Sequence, residues 1–390
     1  MEEINITEDI KYIGVNDKTI DLFESQYIVP NGVSYNSYLI KDEKNVVMDS
    51  VDLRKTDEWL ENLEKELNGE KPEYLVVSHV EPDHSGSIKA VLEKYPEMKI
   101  VGNSKTFLFI KQFFNNIDNY EERKVEVKEG DVLNIGKHTL KFIMAPMVHW
   151  PEVMCTYDET DKVLFSADGF GKFGSLDTDE DWACEARRYY FNIVGKYGAQ
   201  VQQLLKKVAT LDVKVICPLH GPILKENLEY YINKYDIWSS YKAEDDGVFI
   251  AYSSIHGHTK EAALKMKEIL EGKGARKVAI TDLTREDWAE AIEDAFRYDK
   301  VILASSSYNM GIFPPMEQFL HHLASKNYQN RRIGIIENGT WAPSAAKCMK
   351  EIISKMKDIT LCETEITIKS QMNETNILDM ERLAEEILKK

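Results

Sequence analysis

Four side chains that can bind a metal ion fall within six residues of the stretch YLVVSHVEPDHSG, which runs from Tyr74 to Gly86. An apolar, strand-like run precedes them, and a Ser-Gly pair leads from them into a helical pattern. The loop offers two imidazole nitrogens and two hard, anionic carboxylate oxygens, a mixture that indicates a metal site at the end of a strand. The candidate ligands are His79, Glu81, Asp83 and His84.

Three further candidate ligands also stand where predicted strands end. His149 follows KFIMAPMV, Asp168 follows KVLFSA, and His220 follows VKVICPL. A lone histidine in such a place is usually an ordinary polar side chain, but four histidines and three carboxylates placed alike in one half of the chain predict a shared site. We interpret the histidines without this context as non-ligands: His138, His256, His258, His321 and His322.

A second motif, IAYSSIHGHTKEAA, joins a predicted strand to a predicted helix in the other half of the chain. Backbone N–H groups and the helix dipole at such a junction favour a phosphate, and hydroxyl groups add donors. The spacing is neither G-x-G-x-x-G nor G-x-x-x-x-G-K-[ST], which disfavours a dinucleotide or a nucleoside triphosphate. The loop resembles the flavodoxin loop that wraps the phosphate of FMN. Its residues are Ser253, Ser254, Ile255, His256, Gly257, His258 and Thr259.

Two more strand ends complete the predicted FMN pocket, SSSYNMGIFPP from Ser305 and ENGTWAP from Glu337. In a doubly wound sheet such loops meet where the strand order reverses. Tyr308 and Trp341 are expected to lie against the isoalloxazine ring. From these two loops we predict contacts to FMN by Ser305, Ser306, Ser307, Tyr308, Asn309, Gly311, Asn338, Gly339, Thr340 and Trp341.

The elements that must position these loops differ between the two halves of the chain. Up to about residue 245, short strand-like segments separated by turn signals, with helical patterns at residues 57–67 and 87–95, predict an αββα sandwich. After the polar stretch SSYKAEDDG, five β-α units predict a doubly wound parallel sheet. We therefore predict an α/β protein of two domains, residues 1–245 and 246–390.

Length and composition limit the classes of function. A chain of 390 residues is longer than one core usually supports, and its net charge of −17 disfavours nucleic acid and anionic lipid as partners. The acidic N-terminus MEEINITEDI and the lack of a long apolar run predict a cytoplasmic protein without a membrane span. Five scattered cysteines without a C-x-x-C pair indicate reduced thiols and no iron–sulfur or rubredoxin-type site.

The metal motif resembles the metallo-β-lactamase superfamily, in which the zinc pattern is H-x-H-x-D-H. Together with HWPE, SADGFG and LHGP, HVEPDHSG is specifically similar to the flavodiiron proteins, and the resemblance covers the whole chain. It implies one iron held by His79, Glu81, His149 and Asp168, and a second held by Asp83, His84, Asp168 and His220. Glu81 would favour iron over zinc because it replaces an imidazole by a hard anion, and a reductive site needs a metal that changes valence.

The resemblance also implies an oxidoreductase that contains FMN and two iron ions per chain. Electrons from an external donor, usually a rubredoxin in this family, would pass singly through FMN to the diiron site. That site would reduce dioxygen to water, nitric oxide to nitrous oxide, or both. The family's head-to-tail homodimer, or a dimer of such dimers, is the expected assembly, because it places the flavin of one subunit opposite the metals of the other.

Two other functions stay open at the level of the sequence. A metal-dependent hydrolase of the metallo-β-lactamase superfamily, with an accessory flavodoxin-like domain, would be a colourless zinc protein. An electron-carrying flavoprotein with a purely structural first domain would bind no metal, and the complete ligand set disfavours it. An ultraviolet–visible spectrum combined with metal analysis distinguishes the three functions.

Overall fold

The structure is a computed structural model that describes residue 4 and residues 6–389. The chain divides into two compact units. The first contains the chain up to Tyr189 together with Ala199–Asp236, and the second contains Tyr190–Gly198 together with the chain from Ile237 onward. The domain boundary between residues 245 and 246 stays a prediction. Within the described residues, no helix is both long enough and apolar enough to cross a bilayer.

Short strands dominate the first unit, in agreement with the predicted sandwich. One sheet has six strands in the order β1-β6-β7-β8-β9-β10, and a second has five in the order β11-β12-β13-β14-β15. The pairs β2-β5 and β3-β4 form two small separate sheets. The strands are β1 (Ile10–Tyr12), β2 (Val15–Asp17), β3 (Leu22–Phe23), β4 (Tyr27–Ile28), β5 (Val33–Tyr35), β6 (Tyr38–Ile40), β7 (Asn45–Met48), β8 (Pro72–Val76), β9 (Lys99–Gly102), β10 (Lys124–Glu126), β11 (Val132–Asn134), β12 (Thr139–Met144), β13 (Met154–Asp158), β14 (Val163–Phe165) and β15 (Val215–Cys217).

Apolar side chains from the two larger sheets meet in a single core, so the first unit is a sandwich. Each large side chain that is fully buried there contributes about 1.5–3 kcal/mol. This packing fixes the strands, and therefore also the loops that leave their ends. The core includes Tyr38, Ile40, Val46, Met48, Val76 and Val101 from the first sheet, and Leu140, Phe142, Met154, Val163, Phe165 and Val215 from the second.

The helical patterns at residues 57–67 and 87–95 correspond to α1 and α3, which confirms both predictions. Helix α4 was not predicted, although Asn103 gives a local signal for it: its side chain accepts hydrogen bonds from the backbone N–H groups of Lys105 and Thr106 in a capping box. The helices up to this point are α1 (Thr56–Leu67), α2 (Pro82–Ser85), α3 (Ile88–Lys94), α4 (Ser104–Phe113), α5 (Trp182–Tyr189), α6 (Gly198–Val208) and α7 (Leu228–Ser239).

The second unit contains the predicted doubly wound parallel sheet. Its main strands run in the order β17-β16-β18-β20-β21, and all four neighbouring pairs are parallel. The order reverses at β16, so a crevice opens beside the carboxyl ends of β16 and β18. The elements are β16 (Asp245–Ser253), α8 (His258–Gly272), β17 (Val278–Asp282), α9 (Trp288–Arg297), β18 (Tyr298–Tyr308), β19 (Gly311–Ile312), α10 (Pro314–Ser325), β20 (Gln329–Asn338), α11 (Ala345–Ile353), β21 (Lys357–Ile368) and α12 (Glu374–Ile387).

The connector SSYKAEDDG is shorter than predicted. Helix α7 continues to Ser239 and β16 begins at Asp245, so only residues 240–244 lie outside regular structure. The first residue of this polar stretch, Ser239, therefore belongs to α7, and its last three, residues 245–247, belong to β16. Local polarity does not prevent either element from extending.

Candidate metal centre and flavin cavity

The first ligand loop leaves β8 and turns at once into the short helix α2, which Pro82 starts. Asp49 holds this loop, because its Oδ1 accepts hydrogen bonds from the backbone N–H groups of Ser78 at 2.6 Å and His79 at 3.3 Å. Burial raises the pKa of Asp49 to about 6. We did not predict this role for Asp49; the available signal was an acidic residue at the end of the apolar run KNVVMD.

The predicted ligands His79, Glu81, His149 and Asp168 meet in one cluster, in which one ligand atom from each lies within 4.8 Å of the others. The Glu81 carboxylate lies 3.2 Å from His79 Nε2 and 2.9 Å from His149 Nε2. Oδ2 of Asp168 lies 3.3 Å from the same two nitrogens. Two imidazoles and two carboxylates therefore converge on one point.

The predicted ligands Asp83, His84 and His220 form a second cluster. His84 Nε2 lies 3.0 Å from His220 Nε2 and 3.3 Å from Asp83 Oδ2, so the His84 ring faces into the cluster. The other oxygen of Asp168, Oδ1, lies 3.3 Å from His84 Nε2 and 3.8 Å from His220 Nε2. Asp168 thus presents one carboxylate oxygen to each cluster.

The carboxylates of Asp83 and Asp168 fit a pair of bound cations. All four of their oxygens are buried and accept no hydrogen bond from any residue that the structure describes. Buried anionic oxygens without donors are costly unless they are paired or bind a metal. Burial favours the neutral form of Asp168, but the imidazolium charges of His79 and His84 outweigh it and hold the pKa well below its ordinary value. Three carboxylates and four imidazoles suit two non-heme iron ions.

Three aromatic rings pack near the His220 imidazole. The ring centroids of Phe23, Tyr35 and Tyr189 lie 5.4, 6.0 and 5.5 Å from that of the His220 imidazole. Phe23 belongs to β3, and Glu24 follows it in the turn to β4. Glu24 is exposed, and its carboxyl group interacts electrostatically with that of Glu81. The surroundings of the His220 ring are therefore largely aromatic.

Two of the ligand histidines are oriented by a hydrogen bond at Nδ1. His79 Nδ1 lies 2.7 Å from Oε1 of Glu152, and His220 Nδ1 lies 2.7 Å from the backbone oxygen of Ser34. Each contact leaves Nε2 free to face its cluster. Neither partner was predicted, although the HWPE segment places an acidic residue three positions after His149.

In the second unit, a cavity of about 540 Å³ opens at the carboxyl ends of β16, β18 and β20. The described residues of its wall include no Lys, Arg, Asp or Glu. Ser254 Oγ accepts the Gly257 N–H at 3.0 Å, and Thr259 Oγ1 lies 2.8 Å from Ser306 Oγ. Gly257 has a φ of +100°, with no atom within 4 Å of where a Cβ would stand, so the backbone conformation favours glycine there.

Most predicted flavin contacts line this cavity: Ser254, Ile255, His256, His258, Thr259, Ser306, Ser307, Tyr308, Asn309, Asn338, Gly339, Thr340 and Trp341. Ser253 and Ser305 do not, because their buried hydroxyls bond to each other at 3.1 Å beneath it. Gly257 and Gly311 belong to the loops but not to the wall. The wall also contains Met310, Ala342 and Ser370, which were not predicted.

His138, interpreted above as a non-ligand, is buried between two carboxylates. Its Nδ1 lies 3.0 Å from Asp158 Oδ2, and its Nε2 lies 3.3 Å from Asp9 Oδ2. The Lys137 ammonium also contacts Asp9. Asp9, His138 and Asp161 have the spacing of a metal site, but Lys137 supplies a cation to Asp9 already. We name Asp9, Lys137, His138 and Asp158 the His138 clasp, since they tie three separate segments together.

The two halves of the chain match two known families. Residues 33–221 match the model of the ODP family of beta-lactamases, and residues 249–368 match that of the flavodoxin domain. An uncharacterised protein of Methanocaldococcus jannaschii is 31% identical over 360 residues, which cover 90% of each protein. The anaerobic nitric oxide reductase flavorubredoxin of Aliivibrio fischeri is 29% identical over 380 residues, 94% of this chain and 75% of the relative.

Solved structures share both units in the same order. The rubredoxin oxygen:oxidoreductase of Desulfovibrio gigas superposes with a TM-score of 0.92 at 25% identity, over 99% of this chain and 98% of its own. The flavodiiron protein of Giardia intestinalis gives a TM-score of 0.92 at 25% identity, over 100% and 96%. The similarity extends through the beta-lactamase-like and flavodoxin-like halves alike, and the chain therefore belongs to the flavodiiron protein family.

Proposed function

We propose that this oxidoreductase passes electrons from an external donor through FMN to a diiron site, where it reduces dioxygen to water, nitric oxide to nitrous oxide, or both. FMN and a diiron site are the cofactors of its family. The main support for the proposal is that the two buried carboxylate oxygens of Asp168 face two separate ligand clusters. Two metal ions held by these clusters would bind the gas and supply the redox chemistry for its reduction.

The ligand assignment follows the two clusters. We assign one iron to His79, Glu81, His149 and Asp168, and the other to Asp83, His84, His220 and Asp168. His84 is included because its Nε2 faces Asp83, Asp168 and His220 at 3.0–3.3 Å. The seven side chains would hold the two ions close together and set the charge at the site.

The flavin assignment follows the cavity of the second unit. The loop from Ser254 to Thr259 and the start of α8 would hold the phosphate through backbone N–H groups and hydroxyls. Tyr308 and Trp341, which are 45% and 81% exposed, would flank the isoalloxazine ring. We propose that the diiron and FMN domains meet at residues 245 and 246.

The electron donor is proposed to be rubredoxin-like. The chain has no C-x-x-C pair of its own, and the names of two relatives, a flavorubredoxin and a rubredoxin oxygen:oxidoreductase, support this class of donor. A head-to-tail homodimer, or a dimer of dimers, and a cytoplasmic location are proposed on the family resemblance and on the sequence.

Gas consumption by the purified holoprotein tests the proposed function. With a reduced rubredoxin as donor, we expect consumption of dioxygen with four electrons per molecule, of nitric oxide with one electron per molecule, or of both. Asp168→Asn should abolish both reactions while FMN stays bound. The proposal would be contradicted if the holoprotein consumed neither gas faster than the donor does alone. It would also be contradicted if Asp168→Asn kept the wild-type rates.

A further inference from the structure

Glu152 is a fully buried acidic residue that belongs to neither ligand cluster. Its Oε1 lies 2.7 Å from His79 Nδ1 and accepts the Val80 backbone N–H at 3.0 Å. Its Oε2 has no hydrogen-bond partner among the described residues. A buried carboxyl group with one unused oxygen is costly, so its retention behind His79 requires a compensating interaction. A cation bound to the far side of the His79 ring supplies one.

The same residue connects two of the three loops that carry ligands of the first cluster. Glu152 follows His149 by three residues, and its side chain reaches the loop of His79 and Val80. Its backbone oxygen accepts a hydrogen bond from Asn103 Nδ2 at 2.6 Å, and Asn103 caps α4. The position of the His79 imidazole is therefore tied to the His149 loop and to a helix terminus.

Among the described residues, no carboxylate contacts the Nδ1 atom of either histidine of the second cluster. His220 Nδ1 faces the neutral backbone oxygen of Ser34 at 2.7 Å. His84 Nδ1 is buried and has no hydrogen-bond partner among the described residues. The two proposed iron positions are therefore alike in their ligands but unlike in the charge that stands behind the ligands.

We propose that Glu152 is a positioning residue that makes the two metal positions unequal, so that the His79–Glu81–His149–Asp168 position binds metal more tightly than the Asp83–His84–His220 position. This inference rests on the ligand assignment proposed above. A carboxylate that accepts the Nδ1–H of a ligand histidine fixes the ring and strengthens Nε2 as a donor, and loss of such a partner weakens metal binding by about 10–100-fold. The added negative charge also stabilises the higher valence of iron at that position.

The test is an anaerobic titration of metal-free protein, still loaded with FMN, with Co²⁺, followed through its visible ligand-field bands. Wild type should bind two ions in two unequal steps. Glu152→Gln keeps an oxygen for Val80 but removes the charge, and it should weaken the tighter step by about 10–100-fold while leaving the weaker step in place. Glu159→Gln, at an exposed position of the same unit, is the matched control. With iron, Glu152→Gln should also raise the reduction potential of the pair.

A second measurement does not depend on how the variant folds. Crystals of wild type prepared with one equivalent of Co²⁺ should show anomalous density at the His79 position. The inference would be overturned by density at the Asp83–His84–His220 position or by equal occupancy of both positions. It would also be overturned if the titration of Glu152→Gln were identical to that of wild type. Metal in neither cluster would instead overturn the ligand assignment, and the inference with it.

Discussion

At the scale of single residues, we predict that Glu81 determines which metal the protein retains. Its carboxylate lies 2.9 Å from His149 Nε2 and 3.2 Å from His79 Nε2, where the zinc pattern would place a third imidazole nitrogen. An anionic oxygen at this point raises the negative charge of the cluster and favours a harder ion that can change valence. The sequence predicted this residue because it belongs to a compact local motif.

Replacing this oxygen should change the metal that the protein retains. We expect Glu81→His to lower the ratio of iron to zinc several-fold in protein produced with both metals available, because one hard ligand is lost. Elemental analysis of the purified protein measures the ratio. Glu24→Gln, which removes a nearby carboxylate outside the assigned ligands, should keep the wild-type ratio. Equal iron content and unchanged gas reduction in Glu81→His would refute this role.

Hydroxyl groups at the flavin cavity should contribute to FMN affinity. Ser254 and Thr259 stand on the cavity wall, and each hydroxyl that bonds the phosphate is worth about 1 kcal/mol. The double substitution Ser254→Ala with Thr259→Ala should therefore weaken FMN binding by about 30-fold and leave the iron content unchanged. Fluorescence titration of flavin-free protein measures the affinity. Ser354→Ala, at an exposed position of the same unit, is the control. If the double variant kept all its flavin at high dilution, the assignment of the phosphate to the loop from Ser254 to Thr259 would be wrong.

At the scale of secondary-structure elements, the alternation of strands and helices was predictable from the sequence, whereas contacts between distant segments were not. The β-α alternation from β16 to α12 shows in the sequence because each strand and helix is long enough to carry its own period. The two-residue strands β3 and β4 are too short to show a hydrophobic period in the sequence, yet they place Phe23 beside His220. Glu152 was missed for a related reason, since its partner His79 lies 73 residues away.

The His138 clasp joins the segment before β1, the β11–β12 turn and the end of β13. Burial lowers the pKa of His138, but the carboxylates of Asp158 and Asp9 outweigh it and leave the pKa raised in the folded protein. The stabilisation is therefore fully present below the unfolded value of about 6.5 and is lost as the pH rises through the folded value.

Substitution of His138 should consequently destabilise the protein more at low pH than at high pH. We expect His138→Gln to lower the free energy of unfolding by about 2 kcal/mol in mildly acidic buffer and by less in alkaline buffer. Thermal unfolding of the holoprotein at the two pH values measures the difference, with His321→Gln at an exposed helical position as the control. A deficit that stays constant or grows with pH would contradict the linkage.

At the scale of the whole molecule, the predicted head-to-tail homodimer lets the flavin of one subunit serve the metals of the other. One chain with Asp83→Asn and His220→Ala keeps its flavin site, and one with Ser254→Ala and Thr259→Ala keeps its metal ligands. A purified heterodimer of the two, made with different tags, should regain gas reduction, because one complete flavin–iron pair forms across the interface. A heterodimer with verified FMN and iron but without activity would rule out transfer between subunits.

We propose that electrons from the flavin reach a gas only through the two ligand clusters that Asp168 joins. The most direct measurement reduces the holoprotein fully under anaerobic conditions, mixes it with nitric oxide or dioxygen, and follows the flavin absorbance. We predict that the flavin of wild type reoxidises rapidly with at least one gas. In Asp168→Asn, which retains FMN, it should react slowly with nitric oxide and yield hydrogen peroxide from dioxygen. Equal flavin reoxidation rates and equal products in the two proteins would contradict this electron route.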